Sequence, residues 1–287
     1  MVVRLFAFAL AGASALLLAA CGATDEQWPA PSPALWQVIA PSGQQGWLFG
    51  TVHALPDGLD WHTPALDTAM DEAGVLIVEI ADPGGSGGSE VFVHLAHTPG
   101  QPPLLSRVPA EDRAGLAAML DREGRSEADF SAIETWAAAL MFDSGSGGDP
   151  ANGVDRALIG EASAVRALET RESQLRLFDE LPEADQRALL TAAIGEANSD
   201  DPVRAIRAWL IGDMETLDRL ANEGVLAHAA LRETLLTARN AAWLPPVMAA
   251  IERGERPLVA VGAVHMAGDD GLPAMLAARG YRVERVQ

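Results

Sequence analysis

Short apolar runs near both ends of the chain predict β-strands. The predicted strands are Trp36–Ile39, Trp47–Phe49, Val75–Ile80, Leu258–Val261 and Tyr281–Val286. The first two flank Pro41-Ser42-Gly43, a pattern that is typical of a β-hairpin. The third follows a helical pattern over Thr63–Ala73, in which Pro64 suits the first turn.

The long middle of the chain predicts helices. Pro109 opens one helix that Gly124 closes, and Pro182 opens another. Strands separated by helical stretches favour a sheet whose strands are mainly parallel and buried on both faces. We therefore expect an α/β fold in which the N- and C-terminal segments form a mainly parallel sheet, with a large helical insert at about 109–252.

The N-terminus predicts export. Arg4 precedes an apolar run of signal-peptide length, which ends in Leu18-Ala19-Ala20-Cys21. That ending resembles a bacterial lipobox, in which the chain is cut before the cysteine and the thiol takes a lipid. The alternative is an ordinary signal peptide cleaved elsewhere, with Cys21 incidental.

Three parts of the chain follow from this interpretation. Residues 1–20 are the signal peptide, 21–34 are a lipidated cysteine with a Pro-rich spacer outside the core, and 35–287 are the folded domain. Lipid on Cys21 would bind the protein to a membrane. The expected location is the bacterial cell envelope, on the periplasmic face of the outer membrane if the cell is Gram-negative.

Composition excludes several kinds of chemistry. The chain has 287 residues, with 40 acids, 20 bases that are all arginine, and one cysteine. Without lysine there is no Walker A loop and no Schiff base, and one cysteine cannot make a disulfide framework or an iron–sulfur cluster. A net charge of -20 argues against nucleic acid as a partner.

A repeated tetrapeptide points to a site. Gly50-Thr51-Val52-His53 and Gly262-Ala263-Val264-His265 each follow an apolar strand. Ligands of open α/β sheets bind beyond the carboxyl ends of the strands, and imidazole is the commonest metal ligand. Glu79 is the one charge in its apolar run and needs a partner or a metal, unless it faces water on an edge strand.

Other motifs predict less. Gly84–Gly88 matches the nucleophile-elbow pattern around Ser86, but it is a loose glycine tract rather than a tight turn into a helix. His94 and His97 share a helical spacing without a nearby carboxylate, which favours a surface pair.

Taken in order, these residues resemble the TraB/GumN family, related to the Tiki, ChaN-like and erythromycin-esterase-like proteins. The resemblance extends over about Leu35 to Val286. The segments that carry it are Leu48–His53, Leu55-Pro56, the Glu79 run, Gly153-Val154-Asp155, Leu168-Glu169-Thr170 with Gln174, Trp209 with Gly212-Asp213, Arg239-Asn240, Val261–His265, Gly268, Gly271-Leu272 and Gly280-Tyr281.

The resemblance implies a metal site. Tiki proteins are described as divalent-metal-dependent proteases that favour manganese or cobalt. By position, His53, Glu79 and His265 are the expected metal ligands. Arg239 would stabilise an oxyanion or orient a carboxylate, and Asn240 would be its polar neighbour. The expected catalytic residues are therefore Glu169, Arg239 and Asn240.

The expected function is metal-dependent, peptidase-like hydrolysis of a peptide or small-molecule substrate outside the cytoplasm. In that mechanism the metal lowers the pKa of a bound water, and Glu169 serves as a base or a further ligand. The alternative, from the ChaN-like relatives and the TraB name, is a non-catalytic lipoprotein that binds a metal, haem or a peptide.

Overall fold

Six strands form a single mixed sheet in a computed structural model that describes residues 28–82, 86–143, 148–197 and 201–287. The strands are β1 (Leu35–Ile39), β2 (Gln45–Thr51), β3 (Val75–Val78), β4 (Val165–Ala167), β5 (Pro257–Gly262) and β6 (Arg282–Arg285). Their order is β4-β3-β5-β2-β1-β6. β4, β3, β5 and β2 are parallel, and β1 is antiparallel to β2 and β6. The predicted α/β fold with a mainly parallel sheet is confirmed.

Most of the described chain outside the sheet is helical. The helices are α1 (Pro64–Glu72), α2 (Ser86–Ala96), α3 (Arg113–Arg122), α4 (Thr135–Asp143), α5 (Val154–Glu161), α6 (Arg171–Asp179), α7 (Glu183–Ala197), α8 (Asp201–Leu210), α9 (Met214–Glu223), α10 (Ala229–Arg232), α11 (Ala238–Glu252) and α12 (Leu272–Ala277). A π-helical segment, Glu233–Thr237, joins α10 to α11, and a 3₁₀ turn, Ala263–Met266, follows β5. Among the described helices, none combines the length and the hydropathy needed to span a bilayer.

Helix α1 shows how the sequence sets local structure. Thr63 caps it by accepting a hydrogen bond from the Leu66 amide, and Pro64 occupies the first turn, where its missing N–H costs nothing. At Gly74, between α1 and β3, a Cβ atom would lie 2.5 Å from the carbonyl oxygen of Glu255. The glycine is therefore required for the close approach of these two chain segments.

Two predicted boundaries need correction. β4 lies inside the segment predicted as a helical insert, so the sheet is not formed by the two ends of the chain alone. Three residues are too few to show an alternating pattern, and hydrogen bonds to β3 hold them in the extended conformation. β3 ends at Val78, which places Glu79 beyond the strand rather than within it, and Glu79 is buried rather than facing water.

Both faces of the sheet are covered, which explains why β5 is apolar throughout. One face packs Trp47, Phe49, Leu258 and Ala260 against Trp209. The other face belongs to a separate cluster, which includes Trp36, Leu48, Ile77, Val259, Val261, Trp243, Leu244, Leu272 and Tyr281. A third core lies among the helices, around Phe130, Trp136 and Leu190.

The predicted spacer is shorter than expected. From Trp28 onward the chain packs on the domain: Trp28 stacks on Arg207, the Ser32 amide donates to the Leu210 carbonyl, and Ala34 is buried. An aromatic ring and main-chain hydrogen bonds explain why the expected domain start at Leu35 is several residues late. The signal peptide and Cys21 lie outside the described residues.

Candidate active site

Four parallel strands deliver their carboxyl ends to one edge of the sheet. His53 lies two residues beyond β2, Glu79 directly follows β3, Glu169 lies two residues beyond β4, and Gly262 ends β5. Thr51 and Gly262 are paired in the β2–β5 register, so the two Gly-x-x-His segments leave the sheet side by side. His265 then lies in the 3₁₀ turn after β5. The expectation from the repeated tetrapeptide is met, because both histidines reach the same end of the sheet.

Arg239, the second residue of α11, joins the buried carboxylate of Glu79 to the partly buried carboxylate of Glu169. Its Nη2 donates to Glu79 Oε2 at 2.6 Å and to Glu169 Oε2 at 2.8 Å, and its Nε donates to Glu169 Oε1 at 3.0 Å. The guanidinium is only 10% exposed and lies over the Trp243 ring, with 4.6 Å from Cζ to the ring centroid. Arg239 therefore forms charge-assisted hydrogen bonds with both carboxylates, and its role in the chemistry stays a prediction.

Each carboxylate has further donors. Glu79 Oε1 accepts from the Gly262 amide at 2.8 Å, and Oε2 also accepts from Gln174 at 3.2 Å. Glu169 Oε1 accepts from the Trp243 indole at 2.9 Å. Buried charges of this kind are stable because their hydrogen-bonding capacity is satisfied.

His265 is held in one tautomer. Its Nδ1 lies 2.7 Å from Asn240 Oδ1, while Asn240 Nδ2 donates to the main-chain carbonyls of His265 and Asp270. The amide oxygen of Asn240 can only accept, so the proton of the neutral ring is on Nδ1. Arg239 Nη1 can only donate, and it lies 3.2 Å from Nε2, which is therefore the acceptor.

His53 is the exposed member of the site, with 68% of its side chain accessible. Its Nδ1 lies 3.3 Å from Asp155 Oδ1. Asp155 is in the first turn of α5, and Gly153 before it allows a close approach, since a Cβ there would lie 2.5 Å from the His53 carbonyl oxygen. The arrangement is a carboxylate–histidine pair at the mouth of the site.

Gly262 forms the floor between these groups. A Cβ atom on this residue would lie 3.2 Å from Glu79 Oε1, 3.6 Å from His265 Cδ2 and 3.9 Å from His53 Nε2. One point in space is therefore within 4 Å of both histidines and of a carboxylate. Because Gly262 has no side chain, none from this residue lies between the two histidines and the carboxylate.

The two histidines have opposite protonation behaviour. The hydrogen bond to Asp155 raises the pKa of His53 to about 9, and the negative charge of Glu79 adds to this effect. Burial lowers the pKa of His265 to about 4, opposed by Glu79 and reinforced by Arg239. At neutral pH, His53 is protonated and His265 is neutral.

Glu79 remains ionised. Burial alone would raise its pKa, but the attraction of His265 and Arg239 outweighs burial and holds the pKa at about 2. Since His265 is neutral at pH 7, Arg239 and the protonated His53 provide that attraction there.

The donor types of the expected metal site are present, but their arrangement does not fit a divalent ion. In the part of the chain that the structure describes, no three His, Cys, Asp or Glu side chains form a group that could hold a metal. Glu79 Oε2 and His265 Nε2 both face the guanidinium of Arg239 instead. A metal at His53, Glu79 and His265 would have to displace Arg239, and the metal stays a prediction.

A family comparison agrees with the geometry. The family model described as TraB/PrgY/gumN matches residues 34–285. The chain belongs to the TraB/PrgY/gumN family. No curated protein sequence and no solved structure matches the chain. Membership in the TraB/PrgY/gumN family therefore rests on the domain that carries both Gly-x-x-His segments.

All six residues predicted for the site lie together. The set is His53, Glu79, Glu169, Arg239, Asn240 and His265, joined by the contacts above. Three further residues complete it: Asp155, Gln174 and Trp243. The first two occur within the family motifs, which was the available signal, while Trp243 gave none beyond its position one helical turn after Arg239.

Proposed function

We propose that this TraB/PrgY/gumN protein is a hydrolase that cleaves amide or ester bonds by acid–base catalysis at Gly262. The observation that supports the proposal is the pair of histidines around this glycine, one protonated and one neutral at pH 7. Two titratable groups whose pKa values are pushed apart in one site are typical of an acid and its base.

In the proposed reaction, His265 is the base. A water that displaces the 3.2 Å contact from Arg239 would meet the lone pair of Nε2 and give it a proton, while the water oxygen bonds to the substrate carbonyl carbon. His53 is the acid, and it donates its Nε2 proton to the leaving nitrogen or oxygen as the C–N or C–O bond breaks. Solvent then returns both histidines to their starting states.

The remaining residues support these two. Asn240 fixes the tautomer of His265, and Asp155 holds His53. Arg239 keeps the buried carboxylates in place and lowers the pKa of His265. Glu79 balances the positive charge of His53. These assignments give every predicted site residue except Glu169 a role without an added cofactor step.

The same proposal includes the cellular setting expected from the sequence. Lipid on Cys21 would hold the domain at the membrane surface of the bacterial envelope, where peptides or small molecules are the substrates. A chain of six residues, Gly22 to Gln27, would separate that cysteine from the packed residue Trp28. The domain would then act close to the membrane.

The test is a hydrolysis screen on the purified protein. A peptide library and a set of activated esters are incubated with wild type, His265→Gln and His53→Gln, each with a chelator, with added manganese and with neither. The acid–base proposal expects cleavage that survives the chelator and is lost in both variants.

Other outcomes have distinct meanings. Cleavage that appears only with manganese, with metal bound by wild type and lost in His53→Ala, would replace the acid–base mechanism with the metal-dependent one. A Soret band after haem addition together with no cleavage of any substrate would favour the binding lipoprotein. Cleavage that His265→Gln leaves unchanged would refute the proposed base.

A further inference from the structure

Asp270 lies beside the site in the loop after the second Gly-x-x-His segment, and no role above belongs to it. Its carboxylate accepts hydrogen bonds from Arg232 at 2.8 and 3.2 Å and from the Thr237 hydroxyl at 3.0 Å. Its main-chain carbonyl accepts from Asn240 Nδ2 at 2.8 Å. The main-chain carbonyl of Asp270 thus contacts Asn240, and its side chain contacts two residues that precede Asn240, Arg232 and Thr237.

The side-chain contacts hold an unusual turn. Arg232 ends α10 and Thr237 ends the π-helical segment, so the carboxylate of Asp270 connects the two limits of that segment. One-turn π segments inside helices are rare and occur frequently at functional sites. Here the segment sets where α11 begins, and the first turn of α11 carries Arg239 and Asn240.

The main-chain contact sets the orientation of Asn240. Asn240 is fully buried, and its Nδ2 has two carbonyl acceptors, of Asp270 at 2.8 Å and of His265 at 3.3 Å. The shorter of the two bonds depends on the position of the Asp270 loop. With the nitrogen held there, the oxygen faces His265 Nδ1. If the loop moved away, the amide would lose the shorter of the two contacts that distinguish its two orientations.

We propose that Asp270 is a positioning residue that, through Asn240, sets the tautomer of His265. Its carboxylate clamps the loop to Arg232 and Thr237, its carbonyl orients the Asn240 amide, and the amide oxygen keeps the His265 proton on Nδ1. The consequence for catalysis rests on the proposed function, because only that tautomer leaves Nε2 with the lone pair that the base needs. The tautomer itself can be measured without any substrate.

The experiment is ¹H–¹⁵N NMR of the histidine rings in the full-length protein at pH 7, with His265 assigned from the signals missing in His265→Gln. Wild type is expected to show one neutral tautomer, protonated at Nδ1. Asp270→Ala should add a second set of signals from the Nε2-protonated tautomer. Asp270→Asn retains an acceptor for Thr237 but places an amide nitrogen near Arg232, so a smaller second population is expected.

Glu255→Ala is the matched control. Glu255 precedes the other end of β5, pairs with Arg166 at 2.7 Å and Arg253 at 2.7 Å, and is 26% exposed, against 23% for Asp270. Its loss should leave the His265 signals unchanged. A purely structural role for Asp270 would lower the unfolding temperature without moving the tautomer.

Several outcomes would overturn the inference. It is wrong if folded Asp270→Ala retains the single wild-type tautomer, or if Glu255→Ala shifts the tautomer equally. Should Asp270→Ala fail to fold, an unchanged tautomer in Asp270→Asn would count against it in the same way. If the tautomer changes as expected but no variant or wild type hydrolyses any substrate, the inference holds and the proposed hydrolase fails.

Discussion

Replacing Arg239 with methionine tests whether one guanidinium holds the site together. The substitution retains most of the length of the side chain and removes only the charge and its hydrogen bonds. Glu79 and Glu169, whose side chains are 10% and 14% exposed, would then lie near each other without the cation between them. Breaking a buried ion pair by removing one partner costs about 3–5 kcal/mol.

The expected loss lies at the upper end of that range. One Arg239 nitrogen, Nη2, donates to both carboxylates, so a single substitution removes the ion-pair partner of two carboxylates at once. A domain of typical stability has about 5–15 kcal/mol to lose. Arg239→Met should therefore be folded at 25 °C but much less stable than wild type.

The assay is urea unfolding at pH 7 and pH 5, followed by tryptophan fluorescence, to which Trp243 contributes because Arg239 lies on its ring. In the variant, burial acts on Glu79 without the opposing guanidinium and raises its pKa above that of the unfolded chain. An acid with a raised folded-state pKa binds more protons when folded, so the variant gains stability as the pH falls through that range. The deficit relative to wild type should be smaller at pH 5 than at pH 7.

Two further variants control the interpretation. Arg219→Met removes an exposed arginine that pairs with Glu223 at 3.4 Å on α9, and should cost below about 0.5 kcal/mol. The double variant Glu169→Gln/Arg239→Met removes one of the two uncompensated charges and should recover part of the loss. The reasoning would be refuted if Arg239→Met lowered the free energy of unfolding by less than about 1 kcal/mol, equally at both pH values, because a buried unpaired charge destabilises the folded state by more than that.

Four shorter predictions concern other contacts. Asp155→Ala removes the acceptor behind His53, so an NMR titration should show its pKa falling from about 9 toward 6.5; an unchanged value would mean that another group raises it. Gly262→Ala should reduce any hydrolytic kcat by at least about tenfold with little change in stability, and full activity would place the reaction elsewhere. The pKa of His265 is about 4 in the folded protein, so the unfolded chain binds more protons between pH 6.5 and 4. The free energy of unfolding should therefore fall as the pH falls through that window, and less so in His265→Gln, as urea titrations at stepped pH would show. Trp209→Phe loses a 2.7 Å hydrogen bond from the indole to the main-chain carbonyl near the end of β2, and should cost about 1–3 kcal/mol by chemical denaturation; no loss would mean that water satisfies that carbonyl.

Local sequence patterns determined most of the strands and helices. An apolar run followed by glycine predicted the ends of β2 and β5, and Thr63-Pro64 predicted the start of α1. These predictions succeed because hydrophobic alternation, caps and glycine act over a few residues. β4 was missed because three residues leave no period to detect, and its pairing with β3 decides its conformation.

The proximity of His53 and His265 also follows from the sequence, once it is known that β2 and β5 are neighbouring parallel strands. Parallel neighbouring strands bring their carboxyl ends together, and the β2–β5 pairing does so here. The metal expected from the family resemblance depends on more than that, because the donors must also be free of other partners.

What only the tertiary structure decided is the electrostatics of the site. Arg239 and Glu79 are 160 residues apart in sequence, and His53 and Asp155 are 102 residues apart. The sequence contains six histidines, yet in the folded protein the pKa of His53 is about 9 and that of His265 is about 4. Burial and neighbouring charges set these values, and both are properties of positions in space. The chain by itself thus determined which residues meet at the edge of the sheet, and the fold determined which of them carries a proton.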